Sequence, residues 1–445
     1  MVKKEHQHLI FFGCLLVLFA VFSTKIGFHD SYEYINIAKN FAGIKNINLF
    51  SGHALIYPAL ISLFLKVWPS FIMLKIVNIL WVFLIGVVLL FWLKNKTAFI
   101  LFAFSPLTWY VSIQTTPVLP ATFVFLLSFI FFYKKDSKHR LLYSGLFLGI
   151  ACAFYTPMIL IGTIFILVYF WKNSFVNVVK YVVAIFIGFL PRGIQEYYLF
   201  KMPFYSLIRY FGNNFMVFLG LNPLTKGINF LSNFWILSIV VLISPFLFKI
   251  CKINFNKYKK HLIFLSISGL IFLLRVQQLK YFLILSPIIL ILLSKSLNDK
   301  EIKINNIIST IFIIVLIFSF FGINGEILIQ RDLKQINQDF EVDYVIAGPS
   351  EATVLAAFWW KDNPRFVWWE DYEASIENKT IIRSYKLGVE PKLKLKSDLE
   401  IVANFKRTED ITYENYVLVL RKDAKKPNNF KLNRCYKELC VYNKA

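Results

Sequence analysis

Residues 27 to 41, GFHDSYEYINIAKNF, follow the first long apolar run and set two carboxylates, Asp30 and Glu33, three positions apart among tyrosines. Three positions is one turn of a helix, so the two acids share a face. Acids at the edge of a membrane are costly and tend to serve function. A partly desolvated Asp holds its proton more tightly, which suits a general base acting on a hydroxyl. The residue types also allow a plainer role: Asp30 as the N-cap of a helix starting near Ser31, worth about 1 kcal/mol.

A second group stands far along the chain. RVQQLKYFLILSP, residues 275 to 287, carries Arg275 and Lys280 in a connection too short to leave the membrane surface. Bases on that side suit a phosphate at headgroup depth, Arg by paired contacts and Lys as a point charge. Side chains snorkelling from helix ends would account for them equally. His29, Tyr32, Tyr34, His53 and Tyr57 face the same space and are the types that stack on and hydrogen-bond a sugar. An interfacial aromatic belt would use the same tyrosines. The histidines have no metal-ligand spacing, and no phosphate-cradling glycine loop, nucleophile elbow, C-x-x-C or H-E-x-x-H motif occurs.

The elements that must position these residues follow from composition. The 445-residue chain is 57% hydrophobic, 18% aromatic and 17% charged, with a mean hydropathy of +0.59. That is the composition of an α-helical polytopic membrane protein. The net charge of +23 is concentrated: residues 1–323 hold 29 bases against 7 acids, and residues 324–445 hold 20 against 19. The excess bases fall in short connections, at Lys3 and Lys4, Lys94 and Lys96, Lys134 to Arg140, Lys172, Lys249 to Lys260 and Lys295 to Lys303. This is the positive-inside pattern of cytoplasmic loops and argues against nucleic-acid binding.

Apolar stretches at about 9–26, 71–93, 97–112, 118–133, 141–157, 158–171, 175–192, 232–250, 262–274, 281–296 and 306–323 predict about eleven transmembrane helices. The first reads as an uncleaved signal anchor, being long and lacking a small-residue cleavage site. With the N-terminus cytoplasmic, alternation puts every basic cluster inside. It places residues 27–70, the turn at 114–117, the 193–231 loop, the 275–280 connection and the tail outside. Asp30, Glu33 and Glu196 are then the acids of the outer face before residue 324. HALIYPALISLFLKVW, residues 53–68, reads as an interfacial helix. The division expected is a membrane domain over 1–323 and an extracytoplasmic α/β domain over 324–445. In the latter, VDYVIAGPSEATVLAAFWW reads as strand, turn and helix, and ENYVLVLRK and KELCVYN as strands. Cys435 and Cys440 can pair or stay free.

These segments together resemble the bacterial GT-C glycosyltransferases, more narrowly the protein mannosyltransferase and aminoarabinose-transferase relatives. The resemblance rests on HDSYEYINIAKNF, on GHALIYP against the family's H-P-x-x-Y-P, on GLFLGIACAFYTPMILI (145–161), on FLPRGIQEYYLFKMPFYS (189–206) and on the later Arg with KY…P before a span. It covers most of residues 9–296. It implies a GT-C-like fold and an inverting enzyme of the inner membrane that moves a sugar from a polyprenyl-phosphate carrier to a glycan, lipid or protein acceptor on the outer face. Asp30 would be the base, Arg275 and Lys280 the carrier-phosphate ligands, and Tyr32, Glu33, Tyr34, His53 and Tyr57 the sugar or acceptor pocket. The family often has a second acid where Ser31 stands, an acid where TTPVLP stands and an Arg where Thr156 stands. No metal ligand is assigned, and divalent-metal assistance is left open. A lipid-linked oligosaccharide polymerase or ligase, or a non-catalytic scaffold or transporter, are the competing readings.

Overall fold

In the computed structural model, the described residues are 4–24, 26–27, 29–44, 53–134, 139–171, 174–208, 210–211, 258–272, 279–321, 325–340, 344–347, 349–358, 365–368, 416–422 and 430–444. Arg275 and the span expected at 232–250 lie outside them.

Helix α1 (Lys4–Phe22) is followed by two short helices, α2 (His29–Phe41) and α3 (Ile56–Val67). α4 (Phe71–Val87) continues through a π-turn to Trp92, and Ser70 caps its start by accepting the N–H of Met73 at 3.2 Å. The expected span at 97–112 is instead two helices, α5 (Lys96–Ala103) and α6 (Pro106–Ser112). Pro106 cannot donate to the preceding turn and so opens a new helix. The Trp109 indole N–H bridges the break, donating to Ala103 O at 2.7 Å. α7 (Val118–Tyr133), α8 (Arg140–Phe154) and α9 (Met158–Tyr169) follow, with the α8–α9 interruption at Tyr155 to Pro157 where the sequence places it.

α10 (Phe175–Phe200) runs past the expected end at 192, carrying Pro191 inside it, and closes on Lys201 in the left-handed region (φ 56°). A helix over residues 258–271 and one at Phe282–Leu293 come next, then Asp299–Phe321, which begins before the expected 306. Among the described residues, four helices, in α1, α4 through its π-turn, α10 and Asp299–Phe321, are long and apolar enough to cross a membrane; α3, α7, α8, α9 and Phe282–Leu293 are shorter apolar helices.

Small residues decide how α8 and α10 meet. A Cβ on Gly149 would lie 2.0 Å from Ile185 O, and one on Gly188 would lie 2.2 Å from Leu146 O. Only glycine lets the backbones come this close, the packing that apolar helices use where lipid removes the hydrophobic drive. Elsewhere aromatic edges interlock: Phe12 of α1 meets Phe99, Phe102 and Trp109, and Phe19 also meets Trp109. Lys75, on α4 and 6% exposed, donates to Ser23 O and, at 3.3 Å, to Ala20 O, so it satisfies the last carbonyls of α1.

Beyond a polar helix at Gly325–Asp339, the described residues of the tail form a five-stranded mixed sheet. Strands β1 (Tyr344–Ala347), β2 (Arg365–Trp368), β3 (Tyr416–Arg421), β4 (Phe430–Cys435) and β5 (Leu439–Lys444) take the order β2-β1-β3-β5-β4. β1 is parallel to β2 and β3, with the helix Pro349–Phe358 as the β1-to-β2 crossover; β5 is antiparallel to β3 and β4. The strand–turn–helix reading and the strands β3 and β5 were legible in the sequence. β2 and β4 were not, because RFVW is short and FKLNRC mixes apolar with charged residues. Cys435 and Cys440 form a disulfide across the β4–β5 hairpin.

Candidate active site

Asp30 sits in the first turn of α2, where the helix dipole favours a carboxylate. The helix begins at His29, so Asp30 lies inside it and not at the N-cap expected before Ser31. The approach to α2 is fixed by Gly27, whose backbone has φ +157° and whose added Cβ would fall 2.1 Å from Ser31 Oγ. Ser31 is 2% exposed. The small hydroxyl at 31 goes with this tight approach. Ile26 O accepts the Thr115 N–H at 3.1 Å, which ties Ile26 to the 113–117 turn.

Lys280 arrives from the other end of the sequence, on the single 3-10 turn Leu279–Tyr281 that leads into the apolar helix Phe282–Leu293. Its Nζ donates to Asp30 Oδ2 at 2.7 Å. The lysine side chain is 3% exposed and the aspartate 29%, so the carboxylate is the open member of the pair. Desolvation alone was the expected influence on Asp30; the structure adds a cation within hydrogen-bonding distance.

Around this pair, Glu33 Oε2 lies 3.6 Å from His53 Nε2, both partly exposed. The Tyr34 ring packs on His53 (5.2 Å between centroids) and edge-on to Tyr57 (5.7 Å). Tyr57, on α3, donates its hydroxyl to Asn78 Oδ1 at 2.9 Å. Burial first, then the charges of Asp30 and Glu33, push the Tyr34 phenol up, so it stays a neutral donor. Burial does the same for Tyr57, partly offset by a backbone hydrogen bond at Thr116. Tyr32 has a different setting: 6% exposed, it packs on Phe358 of the tail at 5.8 Å. The structure thus brings Asp30, Glu33, Tyr34, His53, Tyr57 and Lys280 into one neighbourhood and turns Tyr32 toward the tail; the His29 side chain is outside the described set.

Three sets of contacts were not read from the sequence. Glu196 is wholly buried in α10 and its carboxylate is taken by Arg192 (Nε to Oε1, 2.9 Å) and by the Ser206 backbone N–H (2.9 Å) and hydroxyl. Arg192 completes its donors on Thr156 Oγ1 (2.9 Å) and Ser206 Oγ (2.6 Å). Lys39, buried on α2, bonds carbonyls of the tail. Tyr155, at the α8–α9 break, packs its ring on Tyr281 at 5.6 Å. Glu196 carried a signal as an outer-face acid, and Tyr155 by its place where the 141–157 stretch meets 158–171; their partners carried none. Among the described residues no group of three or more His, Cys, Asp or Glu side chains gathers to hold a metal.

Chemically, the neighbourhood offers a half-exposed carboxylate, a buried ammonium against it, and neutral phenols. That set can take a proton from a hydroxyl and stabilise an anion beside it.

No family model matches the sequence, and no curated protein is significantly similar to it. The crystal structure of ArnT from Cupriavidus metallidurans bound to undecaprenyl phosphate superposes on 99% of this chain and 98% of its own with a TM-score of 0.69, at 11% sequence identity. Over nearly its whole length, this chain has an ArnT-like fold of apolar helices with a small C-terminal sheet.

Proposed function

We propose that the protein is an inverting glycosyltransferase that moves a sugar from a polyprenyl-phosphate carrier to an acceptor hydroxyl on the outer face of the bacterial inner membrane. The observation that carries this reading is the 2.7 Å bond between Asp30 and Lys280, which joins the candidate base to the candidate phosphate ligand across 250 positions of sequence. The ArnT structure, bound to undecaprenyl phosphate, supports a carrier of that class.

The acceptor O–H gives its proton to Asp30 as the oxygen attacks the anomeric carbon from the face opposite the phosphate. The carbon–oxygen bond to the phosphate breaks, its electron pair stays on the phosphate, and the anomeric configuration inverts. Lys280 stabilises that growing charge, and stabilisation of this kind usually lowers the barrier more than any other single effect. The same ammonium serves both groups: as charge builds on the phosphate its hold on Asp30 relaxes, and the carboxylate becomes a better base. Glu33 with His53, Tyr34 and Tyr57 form the sugar or acceptor wall, with Tyr32 behind them. Arg275 belongs to the phosphate site in this reading. The N-terminus is cytoplasmic, and residues 324–445 form an extracytoplasmic domain over the site.

Sugar transfer from a radiolabelled polyprenyl-phosphate donor, in membranes holding wild type, Asp30→Asn or Lys280→Met, tests the proposal. Full transfer by Asp30→Asn would sink it.

A further inference from the structure

Between α5 and the first half of the helix Asp299–Phe321 runs an open groove of about 480 Å³. None of residues 299–311 is buried, whereas Ile313 and Leu316 are, and the helix meets α6. Its second half is therefore packed, and its first half stands off from α5. Ile302, Ile307 and Ile311 share one stripe of the helix and close the groove with Ile100 and Phe104. Thr310 adds little polarity, since its hydroxyl donates to the Asn306 carbonyl oxygen of its own helix at 2.7 Å.

Toward Asp299 the lining turns polar, with Lys303 and Asn306. Asn306 Oδ1 is buried and has no hydrogen-bond partner among the described residues. Residues 93–96 and 294–303, the connections at this end, hold five lysines and two acids. Asn95 Nδ2 donates to Ser294 Oγ at 2.8 Å and so fastens the two connections together. Lys96 stands one turn before Ile100 on the same face of α5, above the groove. Of the two acids, Glu301 already accepts the Asn298 N–H at 2.9 Å. The mouth is thus basic, and it is remote from the candidate active site: the 12-residue helix Phe282–Leu293, about 18 Å long, separates it from Lys280.

Size and charge select the occupant. A second helix laid along 299–311, about 20 Å long and 10 Å across, would fill about 1,500 Å³, far more than the groove holds. A hydrocarbon chain is narrow enough, and a basic mouth at a helix-lined cleft suits an anionic headgroup.

We propose that this groove binds one glycerophospholipid with an anionic headgroup. An acyl chain lies along Ile302, Ile307 and Ile311, the phosphodiester sits between Lys303 and Lys96, and the Asn306 amide meets the ester groups at the head of the chain. A half-turn of that amide presents its N–H donors to an ester carbonyl, and no partner holds Oδ1 against it. The inference does not rest on the transfer reaction.

The test uses full-length protein purified in detergent, as wild type, Lys96→Ala with Lys303→Ala, and Ile307→Trp. All three positions are exposed, so the variants should keep the fold, which the lipid-free melting temperature checks. The rise in melting temperature is then titrated with palmitoyl-oleoyl phosphatidylglycerol, palmitoyl-oleoyl phosphatidylcholine, undecaprenyl phosphate and inorganic phosphate. Wild type should respond to phosphatidylglycerol at lower concentration than to phosphatidylcholine, and not to inorganic phosphate. The double lysine variant should need about tenfold more phosphatidylglycerol, and Ile307→Trp, which fills the groove, should also bind it more weakly. Equal response of wild type to the two phospholipids, or wild-type affinity for phosphatidylglycerol in both variants, overturns the inference. A loss in Ile307→Trp confined to undecaprenyl phosphate gives the groove to the carrier and overturns it too, as does a wild-type dimer that Ile307→Trp splits, which gives it to a second copy.

Discussion

Lys39 and Ala356 stand 317 positions apart, and the buried Lys39 ammonium lies 3.4 Å from the Ala356 carbonyl oxygen while also bonding that of Ala357. Both carbonyls belong to the last turn of the helix Pro349–Phe358, where they lack partners within the helix and form the negative end of its dipole. Phe358 is held at the same point between Tyr32 and Phe71. The helix that carries Asp30 and the β1–β2 crossover of the tail are thus fastened together.

Lys39→Met should loosen both at once. The lost charge-assisted bonds contribute about 1.5–3 kcal/mol, and hydrogen exchange should rise together in residues 349–358 and in α2. Faster exchange in 349–358 with α2 unchanged would show that the tail does not steady the Asp30 helix.

Asp30→Asn should lower sugar transfer by roughly 10²–10⁴, the usual share of a general base. Lys280→Ala should also lower it, and the double variant should be little worse than either single one, because the two residues act through one bond. Purely additive losses would mean that the pair is not a functional unit.

Glu196 is expected to be structural despite being one of the few acids before residue 324. Glu196→Ala leaves the fully buried Arg192 guanidinium uncompensated, which should cost about 3–5 kcal/mol. Arg192→Met with Glu196→Leu should recover much of that loss in thermal unfolding. A Glu196→Ala protein that unfolds like wild type contradicts this.

The Cys435–Cys440 bond closes a loop of sequence separation 5, so loop-closure entropy gives it about 2 kcal/mol. Peptide masses before and after reduction should differ by the two thiol hydrogens. A fully alkylatable Cys440 in unreduced protein would place the hairpin in a reducing compartment and reverse the topology.

Tyr436 donates to Asp339 Oδ2 at 2.6 Å, and Arg434 Nη1 meets the same oxygen at 2.8 Å. Partial burial and the Asp339 carboxylate push the phenol up to about 12. Because this value lies above the ordinary 10, the contribution to stability is complete below pH 10 and is lost as pH climbs toward 12. Tyr436→Phe should flatten that part of the unfolding profile; an unchanged slope would show that another group causes it.

What was legible in the amino-acid sequence was local. Runs of apolar side chains mark helices such as α4 and α7, Pro58 did not prevent the reading of α3, and the boundary between the stretches 141–157 and 158–171 marked the α8–α9 break. The order VDYVIAGPSEATVLAAF announced strand, turn and helix. These signals depend on periods of two or 3.6 residues and on turn chemistry, which act over a few neighbours. Tertiary structure decided what those elements bring together. It gave Asp30 the Lys280 ammonium, consumed Glu196 in the Arg192–Thr156–Ser206 network, turned Tyr32 to Phe358, and set Tyr155 against Tyr281. Such pairings join residues tens to hundreds of positions apart. They depend on how closely helices approach, which for α8 and α10 is set by the missing side chains of Gly149 and Gly188, and no local pattern records that distance.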